Sequence, residues 1–245
     1  MKQSTQQFVT NRMQRFRISL LIVLCFMAVG LWTSAGQPAF TGEAPRALAG
    51  VTVALDPGHG GYDGGARAAE SGVWEKELTL RISRAVQKEL EARGASVVLT
   101  RTRDVCLAEE GSGKARKRAD LQKRLDIAQE SGADVFLSIH LNEYRDRAQS
   151  GPQVFYQKGA DAGRLLAGAL QEALVQTLQP ARQRKANAGD YYVLRNTALP
   201  AALVECGFLS NPQEEEKLLD EAYHRLIATA VADGLENWHS LQKGL

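Results

Sequence analysis

The chain has 245 residues, 44% of them hydrophobic, which is enough for one well-packed domain. Its formal charge is +2, but Lys2, Arg12, Arg15 and Arg17 sit in the N-terminal leader, so the 26 remaining Lys and Arg residues leave the rest slightly acidic against 28 Asp and Glu. That balance gives no support to nucleic-acid binding, and three cysteines are too few for a disulfide scaffold.

The leader comes first in chain order. Its basic residues precede an uncharged apolar stretch, Ile18–Trp32, and then Thr33, Ser34, Ala35 and Gly36. This is the order of a secretory signal, and the apolar run is also near bilayer-spanning length. Residues 1–35 therefore read as a signal peptide or an N-terminal membrane anchor, and either places the following domain outside the cytoplasmic membrane. Residues 36–50 read as a linker, and 51–245 as a single domain. Cys25 makes a weak lipoprotein signal, because Leu24 stands where a small residue is wanted; Cys106 and Cys206 read as small buried hydrophobes.

From Val51 onward, short apolar strands alternate with amphipathic helices. Strands are expected at Val51–Asp56, Ser96–Thr100, Asp134–Ile139, Val154–Gln157, Tyr191–Leu194 and Ala201–Val204. Helices are expected at Trp74–Arg93, Lys114–Ser131, Asp161–Leu178 and within Pro212–Gln242. The alternation predicts an α/β fold: one domain with a mostly parallel sheet covered by helices on both faces. The basic run Lys114–Arg124 reads as a solvated helix face with Ala115, Ala119 and Leu125 on its apolar side. Its second reading is a surface that meets an anionic polymer.

Three strands end on reactive side chains, and in such sheets the carboxyl ends of the strands line one crevice. His59 lies in Asp56-Pro57-Gly58-His59-Gly60-Gly61, where the glycines permit a sharp turn and close approach of a ligand. His140 closes the apolar run Val135–Ile139; alone it reads first as a structural histidine, and its weight as a site residue comes from its partner at another strand end. Glu75 falls on the inward stripe of its helix with Leu78, Ile82, Val86 and Leu90, in the first turn. There it serves either the helix dipole or the site. Two histidines and a carboxylate suit a catalytic divalent metal, most often zinc. Glu205 ends the apolar strand Ala201–Val204, where burial raises a carboxyl toward the range of a general base. The alternative for Glu205 is a buried ion pair with a base such as Arg195.

Taken together, these motifs resemble the zinc-dependent N-acetylmuramoyl-L-alanine amidases (amidase_3 family) that cut peptidoglycan. The match runs from about Val51 to Trp238, through Leu55–Gly61, Glu75-Lys76, Thr100-Arg101 with Asp104, Arg124, Ser138–Asn142 and Leu203–Asn211. The resemblance implies one Zn2+ held by His59, Glu75 and His140, with Glu205 as the catalytic base. It implies hydrolysis of the amide between the lactyl group of MurNAc and L-alanine. Some members carry a helix after the second histidine that plugs the metal; here Asn142–Pro152 is too short for one, so an open site is expected. Glu143 stands where the family usually has a small residue, at the rim of the site or against substrate. The single-domain layout, the leader and the run Tyr191–Leu203 resemble the sporulation-linked amidases. These trim cortex peptidoglycan ahead of germination and prepare muramic δ-lactam, which implies action in the intermembrane space of the developing spore. Peptidoglycan is the implied partner, and the open site is constitutively accessible unless a separate protein activator controls it. The rival readings are a vegetative division or lytic amidase, a peptidoglycan deacetylase, and a non-catalytic peptidoglycan-binding protein.

Overall fold

The computed structural model describes residues 47–108 and 110–243. The leader, most of the linker and Cys25 lie outside the described residues. Among the described residues, no helix is long and apolar enough to cross a membrane.

Six strands form one sheet. They are β1 (Thr52–Pro57), β2 (Ser96–Leu99), β3 (Val135–Asn142), β4 (Gln153–Tyr156), β5 (Asn187–Ala188) and β6 (Ala201–Phe208). Their order is β2-β1-β3-β6-β4-β5. The first four in that order are parallel. β4 then runs antiparallel to β6, with β5 parallel to β4. The chain passes from β1 outward to β2 and returns to β3 on the other side, so the strand order reverses between β1 and β3. Ligands of open α/β sheets bind at such a reversal.

Period-two side-chain alternation divides the core. Val53, Leu55, Val135, Leu137, Ile139, Ala202 and Val204 pack on one face, under α1 (Glu75–Ala92), α3 (Asp161–Leu178) and α6 (Glu221–Lys243). Ala54, Phe136, Ala201 and Leu203 pack on the other, under α2 (Gly113–Glu130) and the short α4 (Tyr192–Arg195). A further helix, α5 (Pro212–Leu219), follows β6. Along α1, Leu78, Ile82, Val86 and Leu90 are fully buried at helical spacing. Each such side chain contributes roughly 1.5–3 kcal/mol on burial. The expected α/β architecture, with a mostly parallel sheet covered on both faces, is the one observed.

Two local expectations differ from the structure. Tyr191–Leu194 was expected as a strand, but residues 192–195 form one helical turn, with Arg195 N–H donating to the Tyr191 carbonyl at 3.0 Å. A four-residue apolar run does not distinguish a strand from a buried turn. The edge position beside β4 is filled by Asn187–Ala188, while Val193 and Leu194 pack against the α2 side of the core. On α2, Ala115 and Ala119 face solvent rather than the core. The inward residues are Asp120, Arg124, Leu125 and Ala128, because the helix turns Arg124 toward Asp56.

Candidate metal centre

β1 ends at Pro57, and the chain turns through His59, whose φ is +62°. A non-glycine residue seldom occupies that left-handed region. The turn is held by two buried arginines that reach the carbonyl oxygens exposed at the strand end. Arg101 donates to the oxygens of Pro57 at 2.9 Å and Gly58 at 2.8 Å. Arg124 donates to Pro57 at 2.8 Å and His59 at 2.6 Å. Arg124 also pairs with Asp56 at 2.8 Å and Asp120 at 2.9 Å, so its buried charge is matched. Burial by itself would raise the Asp56 carboxyl. The charge of Arg124 and hydrogen bonds from Ser138, Thr100 and Arg124 outweigh it and hold the group below the ordinary carboxylate range. Arg101 and Arg124 lie within the family motifs, but nothing in a linear pattern shows that they clamp this turn.

Register brings the next two residues together. His140 on β3 is the direct parallel partner of Glu205 on β6, so the two side chains leave the sheet side by side. Alternation places both on the α2 face, in line with Ser138 and Leu203. Gly58 leaves room for this, since a Cβ there would lie 2.4 Å from His140 Cε1.

Glu75 arrives from the first turn of α1 and is buried. Its Oε1 lies 3.1 Å from His59 Nε2 and 3.0 Å from His140 Nδ1, and accepts from Leu141 N–H at 3.0 Å. Its Oε2 accepts from Ala66 N–H at 2.8 Å. Both oxygens are thereby fixed, and the two imidazoles meet edge to face with centroids 4.8 Å apart. Among the described residues, His59, Glu75 and His140 form a group able to hold a metal ion, with donor atoms within 4.8 Å of one another. The two nitrogen donors and one carboxylate oxygen fit a catalytic zinc site that keeps an open position. Asp63, which the sequence reading passed over, lies on the far side of His59. Its Oδ2 is 3.0 Å from His59 Nδ1 but out of line for a hydrogen bond, and Lys117 Nζ meets the same oxygen at 2.5 Å. Burial opposes charging of His59, yet Asp63 and Glu75 prevail and lift its pKa to about 9. The signal for Asp63 in the sequence was its spacing, four residues after His59 across a glycine turn.

Glu205 is buried at 8% exposure, and its Oε2 has no hydrogen-bond partner among the described residues. Burial first, then the charge of Glu75, pushes its pKa up to about 8, against the opposing pull of His59. The ion pair with Arg195 does not form; Arg195 pairs with Asp190 instead. All four sequence-derived site residues line one cleft of about 340 Å³. Glu143 is exposed at its edge, and residues 143–152 form no helix over it. Cys206 is a buried free thiol, as expected, whereas Cys106 is half-buried.

Fold and site together define a class: an α/β protein with an open His–Glu–His cluster suited to a divalent metal and a buried carboxyl beside it. The family model for N-acetylmuramoyl-L-alanine amidase (Amidase_3) matches residues 53–237, and the chain belongs to that family. Among curated relatives, the germination-specific N-acetylmuramoyl-L-alanine amidase of Bacillus subtilis is 36% identical over 190 residues, covering 77% of this chain and 79% of the relative. The probable cell wall amidase LytH of Staphylococcus aureus is 34% identical over 194 residues, covering 79% of this chain and 60% of that protein. Among solved structures, the CwlD amidase of Clostridioides difficile in complex with the GerS lipoprotein is 34% identical with a TM-score of 0.74. That match covers 78% of this chain and 99% of that one.

Proposed function

We propose that this amidase hydrolyses the bond between the MurNAc lactyl group and L-alanine of peptidoglycan stem peptides, with zinc held by His59, Glu75 and His140 and with Glu205 as general base. The observation that carries this reading is the register pairing of His140 with a buried, unpaired Glu205 beside the His–Glu–His cluster. When bound, zinc supplies a Lewis acid that acidifies water and polarises the scissile carbonyl. Glu75, fixed at both oxygens, keeps the two imidazoles facing one another. Glu205, raised to about 8 by burial, would be held ionised by the charge of a bound divalent cation; the carboxylate takes the proton of the attacking water at Oε2 and returns it to the departing L-alanine nitrogen.

The likeness to the germination-specific and CwlD amidases supports a role in spore cortex maturation, supplying muramic acid stripped of peptide for δ-lactam formation. The CwlD–GerS complex supports a protein partner for this chain as well. The basic and apolar leader supports export, as a cleaved signal or a retained anchor, with residues 51–245 as the catalytic domain. The LytH likeness favours a second reading, turnover of vegetative wall.

The test is digestion of cortex and vegetative peptidoglycan with and without zinc, with Glu205→Ala as control. Zinc-dependent release of stem peptides from intact glycan, lost in the variant, is the expected result. Faster release from cortex material supports the sporulation role, and faster release from vegetative wall replaces it. Release that persists in Glu205→Ala or in chelator removes the mechanism.

A further inference from the structure

A second cleft, of about 680 Å³, adjoins the first and shares Lys117, Leu121 and Tyr192 with it. Its walls carry four cations: Lys114, Lys117, Arg118 and Arg195. Two are matched within the protein, Lys117 by Asp63 and Arg195 by Asp190. Lys114 and Arg118 have no carboxylate partner among the described residues, and Arg118 lies over the ring of Tyr192 at 5.7 Å. The exposed ring of Tyr62 forms another part of the wall, with Arg116 stacked 4.7 Å above it. α2 enters this cleft with no acidic residue in its first turn. A solvated helix face needs no such concavity, whereas an anion finds unspent positive charge beside flat apolar surface there.

The path from the metal centre is short. His59 contacts Asp63, Asp63 contacts Lys117, and Lys117 lines both clefts. The sugars of the substrate are uncharged, and its free carboxylates belong to the peptide. An extended peptide advances roughly 3.3–3.6 Å per residue, so the second and third residues beyond the scissile amide reach past Lys117. We propose that this cleft is the stem-peptide subsite, with Lys114 and Arg118 receiving the peptide's free carboxylates. The assignment rests on the amidase reading above and extends it: the enzyme selects acidic stems by charge, and the glycan leaves the centre in another direction.

The test measures binding separately from turnover. A soluble acidic stem tripeptide and its carboxamide analogue are titrated calorimetrically against the full-length protein, Lys114→Gln/Arg118→Gln, and Lys123→Gln as an exposed control on the same helix. The acidic peptide is expected to bind the double variant about tenfold or more weakly, the scale of a lost charge-assisted hydrogen bond. Lys123→Gln should match the wild type, and the carboxamide should bind all three proteins equally weakly. In turnover of peptidoglycan, the double variant should raise KM with kcat little changed. Equal affinity for acid and carboxamide overturns the proposal, as does an equal loss in Lys123→Gln. Charge-dependent binding without any peptide release leaves the subsite standing and removes the amidase reading.

Discussion

Arg124 donates a 2.6 Å hydrogen bond to the carbonyl oxygen of His59, the one site residue whose backbone is left-handed. The same guanidinium neutralises Asp56 inside the core, so a single buried side chain links sheet packing to the shape of the candidate metal centre.

Replacing Arg124 with Met leaves Asp56 charged and unmatched in a buried site. Loss of one partner from a buried pair costs ~3–5 kcal/mol. Urea unfolding of Arg124→Met should show a loss of that order, and chelator competition should show weaker zinc retention. A variant with unchanged stability would mean that the clamp carries little of the fold.

Gly65 has φ +70°, and a Cβ there would lie 2.4 Å from Glu75 Oε2. Gly65→Ala should displace the carboxylate that both histidines face. Zinc stoichiometry after dialysis is expected to fall well below one per chain, while the circular dichroism spectrum stays close to that of the wild type.

Asp63 sits behind His59 as a charged neighbour, its Oδ2 3.0 Å from Nδ1. Outer partners of metal-binding histidines are worth ~10–100-fold in metal affinity. Asp63→Asn should weaken zinc binding within that range in competition with a fluorescent chelator, and equal affinity would remove Asp63 from the site.

Glu205 provides a pH signature in protein stripped of metal. Its pKa is raised from 4.5 to about 8, so the folded state holds a proton that the unfolded chain releases. Its contribution to stability is therefore full below pH 4.5 and is lost as pH rises through about 8. Thermal melts should show that Glu205→Gln flattens this decline relative to the wild type. The same variant should lose ~10²–10⁴-fold in peptide release, the usual contribution of a general base.

Much of this protein was legible in its sequence, because local chemistry determines it. The apolar runs at Val53–Leu55, Val135–Ile139 and Ala201–Val204 can only be buried strands once helices alternate with them, and the α1 stripe follows from helical spacing. His59, just beyond β1, and His140 and Glu205, in the carboxyl halves of β3 and β6, follow in turn, since a parallel sheet delivers all its carboxyl ends to one edge.

What only the tertiary structure decided are the properties that depend on register and on groups distant in sequence. The parallel pairing of His140 with Glu205 is a matter of strand register, which the sequence of either strand leaves open. Arg124 stands both in a basic run and in a family motif, but its burial depends on Asp56 and the His59 carbonyl 65 or more residues away. Residues 192–195 form a helical turn, while the edge position beside β4 belongs to Asn187–Ala188. Composition and periodicity select elements through local energetics. The site's charge balance arises only when those elements dock and exclude water from the groups between them.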